Sequence, residues 1–249
     1  MIDPLHQFLI KPLKPLSLFG MDITFTNSSL FMVLSVLVSL VIFHFGTRNK
    51  AYEEGMVPSS LGVVCEKLYQ FIQDLIKAQI GPKGITYTPY ILSLFIFILV
   101  GNLLGLAPYS FTFTSQLVVT VGLALLVFVT ATLIGIFKHG FHFLRLFYPK
   151  GTPFYIAPLL IPVEIMSYLS RPVSLSVRLF ANMVAGHAML KIFAAFSLLL
   201  AGGMLTPLAI LPFLMTIAIT AFEVLVAVLQ AYVFTILTCI YLNDAINLH

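Results

Sequence analysis

The stretch "SLSVRLFANMVAGHAML", residues 174–190, sets a guanidinium at Arg178, a carboxamide at Asn182 and an imidazole at His187 among apolar and small residues. The chain around it is 60% hydrophobic and only 9% charged. Charged groups in lipid are costly, about 2.5–3.5 kcal/mol each on insertion scales, and by default they mark a functional site. Glu164, Arg171, Arg178, His187, Lys191 and Glu223 are the ionisable residues of this part of the chain, and Gln230 and Asp244 follow. Three of them have structural readings. Lys191 has a stem long enough to snorkel, Asp244 lies near the C-terminus where water is expected, and Arg171 precedes Pro172 as at a helix start. Arg178, His187 and Glu223 resist that reading. No charged residue separates Glu223 from Lys191 or from Asp244, and its side chain is short.

These residue types suit proton movement. Histidine and a partly buried carboxylate change protonation near neutral pH. Arginine does not, so it forms a fixed positive barrier and can hold a partner's carboxylate ionised. Glu164, Arg171 and Arg178 are spaced by seven and fall on nearly one face of a continuous helix, with Asn182 one turn beyond. His187 lies about 13 Å further along the axis and points to the opposite side. Glu223 and Gln230, again spaced by seven, share a face of a second helix. The one acid in register with Arg178 on its own segment is Glu164, four turns away. The counter-charge must come from elsewhere in the fold or from another chain, and the arginine is kept for a carboxylate that it meets only part of the time.

The elements that position these groups are membrane helices. Ordinary soluble domains carry about 25% charged residues, and a mean hydropathy of +1.06 belongs to an integral membrane protein. The apolar stretches are long and continuous, which excludes a barrel of alternating strands. The fold class expected is all-α polytopic, one membrane domain over 1–249 with about five membrane helices and one amphipathic surface helix. The first span covers 23–47, with Asn27 or Ser28 as its cap and His44 as an interfacial residue. Over 59–80 Leu61, Val64, Cys65, Leu68, Phe71, Ile72, Leu75 and Ile76 repeat at helical spacing, while Glu66, Lys67, Gln70, Gln73, Asp74 and Lys77 take the other face. "GPKG" stops that helix. A hairpin of spans follows at 90–106 and 117–137. Gly101-x-x-x-Gly105 in the first of these lets another helix approach closely. The loop "KHGFHFLRLFYPKG" is basic without an acid, so Lys138, Arg145 and Lys150 belong on the cytoplasm- or matrix-like side. Segment 48–83 shares that side, and the N-terminus lies outside. His139 and His142 read as loop residues rather than metal ligands.

Two long segments, 157–200 and 206–245, close the chain and form the expected proton path. No proline occurs after Pro172 up to Leu200, nor after Pro212 up to Asn243. The second stretch would be about 48 Å long as a straight helix, against a hydrocarbon layer of about 30 Å. Either these segments break or they lie unusually flat, and length alone leaves both open. The 13 basic residues form no stripe, so nucleic acid is not expected as a partner. Cys65 and Cys239 show no metal-ligand spacing. The N-terminus resembles neither a signal peptide nor a transit peptide, so the expectation is insertion through the first span or synthesis where the protein works.

At this point a family resemblance enters. "PVSLSVRLFANMVAGHAMLKI" resembles the signature of subunit a of the F-type ATP synthase, and "FEVLVAVLQAYVFTILTCIYLNDAINLH" resembles its final helix. "NLLGLAPYSFTFTSQ" and "KHGFHFLRLFYPKGTP" are similar to its middle. The resemblance implies a stator subunit that forms two proton half-channels against a rotating c-ring. It implies Arg178 as the essential arginine facing the c-ring carboxylates. His187 and Glu223, with Asn182 and Gln230, would line the outer-side path, and Glu164 with Asp244 the inner-side exit. The last two helices would be long and steeply tilted. No metal or cofactor is implied beyond the translocated H+, and the chain would have no catalytic site of its own. Partners would be the c-ring, the peripheral stalk, other membrane-sector subunits and lipid. The order His187 then Glu223 resembles mitochondrial and alphaproteobacterial members. That favours the mitochondrial inner membrane, otherwise the inner (plasma) membrane of a related alphaproteobacterium. The rival reading is a self-contained proton-coupled transporter or channel. It would need a cavity between broken helices or inverted repeats, and no repeat is present.

Overall fold

The computed structural model describes residues 8–15, 17–18, 21–22, 24–47, 60–107, 110–140, 155, 157–202 and 206–247. They form six helices: α1 (Asn27–Thr47), α2 (Ser60–Gln79), α3 (Thr88–Gly105), α4 (Leu117–His139), α5 (Ala157–Ala201) and α6 (Ile210–Ile246). Five stretches are long and apolar enough to cross a membrane: Asn27–Thr47, Pro82–Gly105, Leu117–His139, Pro158–Ala201 and Ile210–Ile246. The sixth helix, α2, is amphipathic. The all-α polytopic architecture expected from composition is therefore present. Two strand pairs stand beside it near the N-terminus. β1 (Pro12–Lys14) pairs with β4 (Phe25–Thr26), and β2 (Ser17–Leu18) pairs with β3 (Met21–Asp22), both antiparallel. Runs of two or three residues leave no readable alternation.

Local chemistry explains the helix ends. Asn27 Oδ1 accepts from the first-turn Ser28 N–H at 3.0 Å, but neither Asn27 nor Ser28 closes a capping box on α1. Thr26 does so through a reciprocal box, with Ser29 N–H donating to Thr26 Oγ1 at 3.4 Å and Thr26 N–H donating to Ser29 Oγ at 2.8 Å. Asn27 instead fastens the strand region, accepting from Lys11 N–H at 3.1 Å and donating to the Leu9 carbonyl at 3.2 Å. At the end of α2, Gly81 has φ of 85° and its N–H reaches back to the carbonyls of Ile76 and Lys77. Only glycine enters that region without strain. Cys65, Ile72, Leu75 and Ile76 of the apolar stripe on α2 are buried, whereas Leu61, Val64 and Phe71 remain exposed.

Neither long segment breaks. α5 runs for 45 residues with Pro162 and Pro172 inside it, and α6 for 37. Each proline removes one ladder bond, a loss that membrane helices tolerate where neighbouring groups re-satisfy the backbone. At 1.5 Å per residue α6 alone is about 55 Å long. Arg171 consequently sits inside α5 and not at a helix start. The close approach permitted by Gly101 and Gly105 also differs from expectation. A Cβ on Gly101 would lie 2.3 Å from the Phe113 ring, and one on Gly105 would lie 2.5 Å from Thr112 Oγ1. The glycines admit the returning loop, not another helix. His139 closes α4 rather than lying in a loop, and its Nε2 is 3.1 Å from the Ile246 carbonyl. Arg48, Ser59, His142, Arg145 and Lys150 lie outside the described residues.

The chain divides into two compact units. The first comprises Met1–His44, Ile96–Gln116 and Leu179–Ala231; the second comprises Phe45–Phe95, Leu117–Arg178 and Tyr232–His249. Ile98, Phe113, Leu179, Met183 and Ala227 are buried in the first, and Ile72, Ile76, Val127, Phe234 and Leu242 in the second.

Candidate functional site

In the first unit α5 presents His187 to Glu223 of α6. His187 Nδ1 is 3.6 Å from Glu223 Oε1, within ion-pair range but longer than a hydrogen bond. Glu223 is 3% exposed, and neither carboxyl oxygen has a hydrogen-bond partner. A buried polar atom in that state costs about 1–3 kcal/mol, so the position is kept for more than packing. Gly186 makes it accessible, because a Cβ there would stand 2.7 Å from Glu223 Oε1. On its other side His187 Nε2 is 2.9 Å from Thr112 Oγ1. The Phe8 ring meets the imidazole edge-on with centroids 6.3 Å apart, and Gln116 holds the Phe8 carbonyl at 2.8 Å.

Five residues before His187 on one helix and seven after Glu223 on the other, Asn182 Nδ2 donates to Gln230 Oε1 at 2.9 Å. Gln230 Nε2 is buried without a partner. Between Glu223 and Gln230 on the same face, the Ala227 carbonyl accepts from Asn102 Nδ2 at 3.3 Å. Ala227 and Asn102 are both fully buried, and the small alanine gives the carboxamide room. Asn102 Oδ1 and Thr114 Oγ1 are likewise buried and unbonded. The first unit thus gathers His187, Glu223, Asn182 and Gln230, which the resemblance grouped, whereas spacing alone set Asn182 and His187 on opposite sides of their helix. It adds Thr112, Asn102, Gly186, Phe8 and Gln116. Asn102 could have been found as a carboxamide in an uncharged span; Thr112 is hidden among the neighbouring hydroxyl residues of "YSFTFTSQ".

The second unit holds its charges differently. Arg171 Nη1 donates to Asp244 Oδ2 in a short ion pair. Its guanidinium also lies 5.6 Å from the ring centroids of both Tyr168 and Tyr241. Tyr168 Oη and Thr132 Oγ1 are 2.8 Å apart. Asp244, expected near water, is therefore paired with a cation that does not titrate. Glu164 is half-buried, and among the described residues no bond joins it to Asp244. Arg178 is exposed, and no salt bridge among the described residues includes it.

The ATP synthase A chain family matches residues 29–243, a stretch that contains each of these positions except Phe8 and Asp244. The chain belongs to that family. Among relatives named ATP synthase subunit a, the protein of Rhodospirillum rubrum is 50% identical over 251 residues, covering 100% of both chains. That of Rhizobium etli is 51% identical over 247 residues, covering 98% of this chain and 97% of its own. That of Agrobacterium fabrum is 49% identical over 247 residues, covering 98% of each. Membership of the ATP synthase A chain family and five membrane-length helices make this a multi-pass membrane protein and set the transporter reading aside. These relatives are bacterial and lend no support to the preference for a mitochondrial membrane.

Proposed function

We propose that this chain is the stator subunit of an F-type ATP synthase that carries protons in two half-paths to and from a rotating c-ring. The observation that supports it most is Glu223, a short carboxyl 3% exposed in a membrane-length helix, unbonded and facing His187. A carboxyl so placed has little structural use, and an imidazole beside it completes a pair able to take up and release a proton. On this reading a proton arrives from the outer side through His187 and Glu223, with Asn182 and Gln230 alongside, and neutralises a c-subunit carboxylate. The ring turns through lipid, and the proton leaves past Glu164 and Asp244 on the inner side. Arg178, exposed and outside the salt bridges among the described residues, faces the ring. There it draws each returning carboxylate into its ionised form and prevents the two half-paths from joining.

The chain then has no nucleotide chemistry and no cofactor, and its cargo is H+. Its partners are the c-ring, the peripheral stalk and the other membrane-sector subunits, and the steep lean of α5 and α6 follows the ring. The alphaproteobacterial relatives favour the inner (plasma) membrane of a bacterium, with the N-terminus outside. Arg178→Ala tests the reading. It should abolish proton-driven ATP synthesis in vesicles while the complex still assembles; normal coupled synthesis by the variant would refute the assignment.

A further inference from the structure

His187 and Glu223 do not by themselves decide which imidazole nitrogen carries the hydrogen. We infer that Thr112 is a positioning residue that sets the tautomer of His187 and so keeps one proton shared between His187 and Glu223. The inference rests on the reading that this pair carries the transported proton.

Thr112 has one hydroxyl hydrogen to give. Gly105 is the last residue of α3, so its carbonyl lacks an intrahelical donor. Thr112 Oγ1 donates to that carbonyl at 3.1 Å. Ser110 Oγ lies 2.7 Å from the Ala107 carbonyl and 2.9 Å from that of Gly105. Its single hydrogen can go to either oxygen, and with two lone pairs the Gly105 carbonyl accepts from Thr112 in both cases. The approach exists only because Gly105 has no side chain, since a Cβ would stand 2.5 Å from Thr112 Oγ1. With its hydrogen committed, Thr112 Oγ1 meets His187 Nε2 at 2.9 Å as an acceptor. Nε2 therefore bears the hydrogen, and in the neutral ring Nδ1 is a lone pair.

That lone pair faces Glu223 Oε1 at 3.6 Å. A carboxyl 3% exposed and without donors is least costly as the neutral acid, and its O–H has Nδ1 as the acceptor to close upon. Once that contact closes to hydrogen-bond range, donation runs one way, from Glu223 to His187 to Thr112 to the Gly105 carbonyl. A carbonyl cannot donate, so the reverse order would need Thr112 to turn its hydrogen to Nε2 and leave the Gly105 carbonyl to Ser110. It would also finish with Nδ1–H as the single donor to a buried Glu223 carboxyl. When the Glu223 O–H bond breaks, the proton forms an N–H bond at Nδ1 and leaves an imidazolium beside a carboxylate. The return step restores the neutral pair, with one proton between the two groups throughout.

Nitrogen-15 histidine labelling of the assembled ATP synthase in lipid vesicles reads the tautomer directly by solid-state NMR. The expected state of His187 is neutral, with Nε2 protonated and Nδ1 bare. Thr112→Val should redistribute the hydrogen towards Nδ1 and lower proton-driven ATP synthesis about tenfold. Thr112→Ser, which keeps the hydroxyl, should recover both signals. An Nδ1–H tautomer in the unsubstituted protein overturns the inference, whether or not the variants assemble. So does Thr112→Val with tautomer and synthesis unchanged. Glu223→Gln separates the two claims. Slow synthesis there with normal synthesis in Thr112→Val sinks the inference alone; normal synthesis in Glu223→Gln sinks the functional reading while the tautomer stands as measured.

Discussion

Glu223 and Asp244 are both carboxylic acids on α6, yet their surroundings are opposite. Asp244 belongs to the second unit and is held by Arg171, whose guanidinium lies near two tyrosine rings. Glu223 belongs to the first unit, is almost fully buried, and among the described residues has an imidazole at 3.6 Å and no hydrogen-bond donor. A carboxylate bonded to a guanidinium contributes to holding the fold. One that is buried and unbonded makes a net loss to stability, and its retention points to exchange of a proton. The same residue type serves two ends, and the difference is made by the partner supplied from α5.

The largest expected effect tests that contrast at Glu223. Glu223→Gln keeps the shape and breaks no hydrogen bond, so proton flux through the complex should fall on the order of a hundredfold without a leak. Thermal stability should change by less than about 1 kcal/mol. Unchanged flux would remove Glu223 from the proton path. Arg171→Ala should do the reverse, costing about 2 kcal/mol in a denaturation series, because the abandoned carboxylate is only partly exposed. Its side chain and that of Asp244 are 27% and 29% exposed, which limits the penalty. Adding Asp244→Ala should restore part of the loss, and a double variant worse than the sum would break the comparison. A smaller effect is expected at Gly186→Ala, where the new Cβ would crowd Glu223 Oε1. Flux should drop about fivefold through misplacement with the complex intact, and wild-type flux would show that Glu223 can move freely. Smallest of all is Asp74→Ala, which removes an exposed pair with Lys77 at 3.7 Å. A change of about 0.3 kcal/mol, vanishing in salt, is expected there; a larger one would mean that exposed pairs on α2 matter as much as Arg171 and Asp244.

Legibility in the sequence followed length of signal. Twenty or more uncharged residues announce a membrane helix, so the five spans and amphipathic α2 could be read before any coordinates. The cap of α1 could not, because Thr26, Asn27, Ser28 and Ser29 are all competent caps and only geometry selects Thr26. Arg171 was misread for a similar reason. A residue before proline is biased away from helix, but α5 runs through Pro172 and brings Arg171 to Asp244. The glycines of 101 and 105 signalled a close approach correctly and its partner wrongly, since small size states that something comes near and not what.

By itself, then, the order of residues settled the solvent of this protein, its helical class and the rarity of its intramembrane charges, because hydropathy and spacing are properties of the chain alone. Which of those charges neutralise one another was decided by tertiary structure. A carboxyl group's role depends on partners within about 3–4 Å, and here those come from residues tens of positions away, from Arg171 for Asp244 and from His187 and, through it, Thr112 for Glu223.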